Sequence, residues 1–275
     1  MVSHDAAPVR IWQQSFTVLD DLPDYENLLR AHAAQVTGAG TKVELHGMRP
    51  GTYPSNYPGD HIRYSYLQRL HAQQLVDAAL CAQAQGFDAY FIATLPDVAL
   101  EDIRTLLEIP VIGLGQASLL VAATLACPAG VINFIDALRP QLRRNAETYG
   151  LGGLLGPIVA LEAGFHDVLV AYSEPAPLIR RFQDAARRAI ERGARVLIPG
   201  EAPLNVFLAA HGVHEVDGIP VIDSVAAGLK LCELRVALAR ETGLPPVRAG
   251  GLYHDHPPAD VVAAAHSFYR SEAKP

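Results

Sequence analysis

"GFDAYFIATLPD" (86–97) and "GARVLIPGEAPL" (193–204) open alike, with a glycine, a run of apolar residues, and a polar residue eight positions on. That residue is Thr94 in the first stretch and Glu201 in the second. A glycine followed by a strand-length apolar run is the mark of a helix end leading into a buried strand. A second correspondence lies further on: "IPVIGLGQASLLVAATLA" (109–126) is echoed by "IPVIDSVAAGLKLCELRVA" (219–237). The chain therefore carries an internal repeat.

Working outward from these stretches, strands are expected at 9–14, 41–46, 89–93 and 110–114, and again at 130–135, 156–162, 195–199 and 219–223. Segments of helical period separate them, at 24–37, 66–85, 98–108 and 116–126, then 138–150, 175–193, 204–212 and 225–241. Strands alternating with helices specify parallel sheets joined by right-handed crossovers. The reading is an α/β fold of two pseudo-symmetric lobes, each a parallel sheet flanked by helices. Residues 1–127 with the C-terminal helical region 224–275 form one lobe, and 128–223 the other. Ligands of open α/β sheets bind outside the carboxyl ends of the strands. The cleft between the lobes is thus the expected active site, with Thr94 and Glu201 at mirrored positions in it.

Composition narrows the function class. The 275 residues are 50% hydrophobic and carry a net charge of −7, with Lys and Arg dispersed. That balance argues against a nucleic-acid partner. No stretch reaches the roughly 18 uninterrupted apolar residues of a membrane span, and "MVSHDAAPVRIWQQSF" lacks the basic and apolar regions of a signal peptide. A cytoplasmic, membrane-free protein is expected. Cys81, Cys127 and Cys232 are unclustered and fall in or beside apolar helical patterns, so they read as reduced core thiols. "GLG" (113–115) lacks the third glycine of a dinucleotide fingerprint. His254 and His256 form a bare HxH without further ligands, and no metal is expected.

The stretches "DAYFIATLPDVAL", "IPVIGLGQA", "GARVLIPGEA" and "IPVIDSVAAGLKL" resemble the aspartate/glutamate/hydantoin racemase superfamily, whose relatives include maleate isomerases and arylmalonate decarboxylases. The resemblance spans nearly the whole chain. It implies a cofactor-independent enzyme, a likeness to racemases and isomerases, and acid/base chemistry at carbon on a small carboxylate or cyclic amide. A homo-oligomer is implied as well. In that family the two strand-end positions usually carry cysteines, each serving one face of a carbon acid; here they are Thr94 and Glu201. Threonine does not ionise at neutral pH, whereas a glutamate can act as a base. An ordinary Glu lies about four pKa units below Cys, a loss of roughly 5–6 kcal/mol of pull on a proton that burial partly restores. The chemistry expected is one-sided, with Glu201 and Thr94 as its catalytic pair.

The resemblance adds substrate-binding candidates. Ser15 and Thr17 follow the first strand, Asp97 matches a family aspartate, and Gln116 stands where many relatives have Glu. Asp223 and Ser224 occupy the mirrored junction of the second lobe. Tyr57 and His61 belong to the long loop "GTYPSNYPGDH", read as a substrate cover. Two alternatives remain beside the isomerase: a lyase, decarboxylase or hydrolase on the same scaffold, and a small-molecule binding protein without catalysis. Each polar group also has a plain structural role open to it, since Ser, Thr, Asp and Glu favour helix starts.

Overall fold

A computed structural model describes residues 7–55, 57–125, 128–246 and 255–270. The first sheet contains β1 (Val9–Gln14), β2 (Thr41–His46), β3 (Ala89–Ile92) and β4 (Val111–Gly113), all parallel in the order β2-β1-β3-β4. Its crossovers are α1 (Pro23–Val36), the short α2 (Gly59–Ile62) with the long α3 (Ser65–Ala84), and α4 (Leu100–Leu106). β3 is wholly buried and entirely apolar, as a central strand covered on both faces must be. After β4 the chain runs directly into α5 (Leu114–Leu125).

The second sheet is smaller. β5 (Ala129–Asn133), β6 (Leu155–Ala160) and β7 (Val196–Pro199) are parallel in the order β6-β5-β7. α6 (Arg139–Thr148) links the first pair, and α7 (Phe165–Val170) with α8 (Pro175–Glu191) the second. α9 (Ala202–Ala210) follows β7 at once. The strand expected over 219–223 is a correction. Asp217 and Gly218, at φ of 49° and 76°, turn an antiparallel hairpin of β8 (Glu215–Val216) and β9 (Ile219–Pro220). An Asp-Gly pair with both residues left-handed is the favoured tight hairpin turn. What survives of a fourth strand is one parallel bridge, Leu197 to Val221.

α10 (Ser224–Thr242) then returns to pack on α5, α1, β3 and β4, and α11 (Ala259–Arg270) is the last helix. The close seat of α10 requires Gly228, because a Cβ there would lie 2.2 Å from the Phe91 ring. The main core runs from the first sheet onto one side of the second, including Ile11, Phe91, Leu114, Val131 and Val196. A second cluster around Phe182, Leu197 and Phe207 fills the other side. Cys232 is fully buried, but Cys81 sits on the solvent side of α3, correcting its reading as a core thiol. Cys127 and His254 lie outside the described residues.

The repeat holds bond for bond. Gly86 and Gly193 both take left-handed conformations, at φ of 73° and 100°. The next residue in each copy, Phe87 or Ala194, donates its N–H back to the carbonyl of Ala82 or Ala189. This is the helix stop that glycine favours. Asp88 N bonds Arg10 O at 2.8 Å, and Arg195 N bonds Pro128 O at 2.8 Å. At the far ends Ala93 N bonds Gln14 O and Gly200 N bonds Ile132 O. Thr94 and Glu201 therefore leave their sheets from equivalent points.

Candidate active site

Beyond those points the two copies diverge. The first continues as an irregular loop to Leu100, in which Asp97 and Ala99 have φ of 48° and 61°. The second enters α9 directly. Glu201 holds the position before that helix, at φ 21° and ψ 135°, yet its side chain makes no capping bond. Its Oε2 instead accepts from Phe134 N at 3.4 Å, at the end of β5. The residue keeps partial exposure, but Oε1 is covered and has no partner. Burial pushes the Glu201 carboxyl up to about 8, and the Phe134 and Ile135 amides pull it back only in part. Near neutrality it can hold or release a proton.

A pocket that opens to solvent, with about 460 Å³ of space when its mouth is included, brings Glu201 and Thr94 together with Ser15, Thr17 and Tyr57. The Thr94 side chain is buried and forms part of the pocket wall. Ser15 and Thr17 share a 2.7 Å hydroxyl–hydroxyl bond, and Thr17 N donates to Ser15 Oγ at 3.2 Å. This hydroxyl pair is held by Tyr53, which donates to Phe16 O at 2.9 Å, and by Gln14, which donates to Ser15 O at 3.0 Å. Tyr57 comes from the loop read as a cover. It stacks on Phe165 of the second lobe with ring centroids 5.1 Å apart, so the two lobes meet over the pocket.

The other candidates lie elsewhere. Asp97 is buried behind the pocket and accepts from Gly115 N, Gln116 N and Tyr149 Oη, each at 2.8 Å. Burial raises its carboxyl to about 6 against those donors and Arg104. Gln116 Oε1 accepts from Arg104 at 2.6 Å, away from the pocket. Asp223 caps α10 through Ala226 N and pairs with His32 of α1 at 3.0 Å. Ser224 is fully buried with an unpartnered hydroxyl. The His61 ring turns to His71, at 2.9 Å, and to the Tyr53 ring. His256 faces Glu108 at 3.8 Å. Among the described residues no His, Cys, Asp and Glu cluster of metal-holding size occurs, and no helix is long and apolar enough to cross a membrane.

Sequence reasoning missed several walls of the pocket: Tyr25 of α1, Phe134 and Ile135 after β5, and Phe165 at the start of α7. Phe134 and Ile135 had a signal in the repeat. Gln14 and Ile132 accept the equivalent amide bonds, so Phe134 and Ile135 mirror Phe16 and Thr17. The remainder of the wall is largely apolar, and among the described residues none that lines it is Lys, Arg or His.

Comparison with known proteins agrees with this architecture. Residues 27–232 match the family described as Asp/Glu/Hydantoin racemase. A hydantoin racemase of Pseudomonas sp. (strain NS671) is 26% identical over 212 residues, covering 77% of this chain and 81% of that one. A hydantoin racemase of Paenarthrobacter aurescens is 26% identical, covering 76% and 85%. In fold the chain is similar to the allantoin racemase of Klebsiella pneumoniae, with a TM-score of 0.74 and 23% identity over 90% of this chain and 94% of that one.

Proposed function

Because the chain belongs to the Asp/Glu/hydantoin racemase family and is a racemase-type enzyme, we propose that Glu201 moves the proton at carbon in a one-sided, cofactor-independent reaction on a small cyclic amide. The observation that carries this reading is the Glu201 carboxyl: buried in the shared pocket, one oxygen unpartnered, and poised near pH 8. A general base works best with a pKa close to the working pH.

In the forward step the C–H bond beside a substrate carbonyl breaks. The proton passes to Glu201 and the electron pair moves onto the carbonyl oxygen. The Thr94 hydroxyl holds that oxygen or relays a proton from water to the opposite face of the carbon. Glu201 then returns its proton to the carbon or to solvent. Ser15 and Thr17 supply further polar contacts on the first lobe.

The lining favours a neutral amide over a carboxylate. With no cation among the described residues of the wall, a second negative charge beside Glu201 would find no compensating partner there. Hydantoin and allantoin, named in the relatives and in the structural neighbour, are uncharged cyclic ureides at neutral pH, and this reading carries that class to the present chain.

One observation favours a second reading. A carboxyl with its pKa near 8 is mostly protonated at pH 7, so Glu201 is also suited to protonating a carbanion formed by loss of carbon dioxide. Running a 5-substituted hydantoin with the enzyme in deuterium oxide separates the two. Deuterium entering unreacted substrate at C5 supports the isomerase; no label in any hydantoin tested, with turnover of a malonate-type acid, would favour the decarboxylase.

A further inference from the structure

Tyr25 lies in the first turn of α1 and begins its buried face, followed by Leu29, His32 and Ala33. The side chain is 1% exposed, and its ring fits a core position that phenylalanine would fill equally well. The hydroxyl is the unexplained part. Among the described residues it has no hydrogen-bond partner, and the residue lines the same pocket as Glu201 and Thr94. The Ser15 hydroxyl acts on Tyr25 as a hydrogen-bonding neighbour, yet the two oxygens do not come within bonding distance, and Ser15 Oγ pairs with Thr17 at 2.7 Å. Tyr53 offers a contrast within the same region, since its hydroxyl is spent on Phe16 O at 2.9 Å.

A buried hydroxyl left unpaired is destabilising, so its retention over an isosteric ring calls for a partner the protein itself does not supply. Glu201 Oε1 is the other fully covered side-chain polar atom without a partner among the described residues lining this pocket. Burial keeps the Tyr25 phenol protonated well beyond the usual range, so its hydroxyl is a donor at every working pH. We propose that Tyr25 donates its O–H to a carbonyl oxygen of the bound substrate, on the first-lobe side of the pocket that holds Glu201. The inference rests on the reading of this pocket as the substrate site. It adds a contact that selects substrates carrying an acceptor at that point, because an analogue without one leaves the hydroxyl unpaired.

The test uses the full chain and the variant Tyr25→Phe, with thermal melting of the free proteins and hydrogen–deuterium exchange at C5 of 5-methylhydantoin followed by NMR. The expected result is a melting temperature equal to or above that of the parent and a loss of about tenfold in kcat/KM, the scale of one hydrogen bond between neutral groups. A lower melting temperature would assign the hydroxyl to the fold and overturn the inference. So would unchanged kcat/KM. If the parent enzyme itself exchanges no label, the functional reading of the pocket fails; the melting comparison then decides the fate of the hydroxyl, a fall counting against the inference and no fall for it.

Discussion

The Tyr149 hydroxyl donates to the Asp97 carboxylate at 2.8 Å, joining the end of α6 in the second lobe to the loop that carries Thr94 in the first. Asn145 reinforces the joint by donating to Pro96 O at 2.7 Å. Asp97 thus anchors the loop from behind, while Thr94 faces the pocket. Tyr149→Phe should cost roughly 1–3 kcal/mol, the usual penalty for depriving a buried polar group of its donor. Chemical denaturation should show the loss. Turnover should fall as well, because the loop holding Thr94 loses one of its ties to the other lobe. An unchanged denaturation midpoint would remove Asp97 from this role.

The same anchor explains the glycines of "GLG". A Cβ on Gly113 would lie 2.5 Å from the Asp97 carboxyl, and one on Gly115 would lie 2.4 Å from Leu95 O. Neither glycine is there for a dinucleotide. Gly115→Ala should be the more damaging change, since it meets backbone and cannot be relieved by a rotamer. Overpacking of this kind costs about 1–3 kcal/mol. Melting temperatures ordered parent, Gly113→Ala, Gly115→Ala from high to low would agree; equal values would not.

Glu201 makes stability depend on pH. Its folded pKa of about 8 lies above the ordinary 4.5, so the native state holds a proton that the unfolded chain releases between those values. Its contribution is fully present below pH 4.5 and declines as pH rises towards 8, by at most about 1.4 kcal/mol per unit. Glu201→Gln removes this slope. The variant should gain melting temperature relative to the parent progressively from pH 5 to pH 8 and hold a constant lead above that. A lead independent of pH would mean the carboxyl is not perturbed.

Much of this was legible in the residues, and for identifiable reasons. Glycine stops at 86 and 193, each followed by an apolar run, mark helix end and strand start without ambiguity, and the repeat then pairs Thr94 with Glu201. Phe134 and Ile135 are reachable only through the repeat, because what they bring to Glu201 is backbone N–H, which no side-chain pattern displays. Asp97 looked like a pocket residue because its acceptor role is set by Tyr149, 52 positions away. Asp223 likewise depends on His32, 191 positions distant. The hairpin at Asp217-Gly218 has its signal in that dipeptide, although the echo of "IPVI" points to a strand.

The most direct test compares deuterium uptake at C5 of 5-methylhydantoin by the parent, Thr94→Ala and Glu201→Gln, at pH 8. If Glu201 moves the proton, Glu201→Gln loses at least about a hundredfold in exchange rate, and Thr94→Ala retains exchange at C5 but loses racemisation more than exchange. Exchange in Glu201→Gln within a few-fold of the parent would contradict the account.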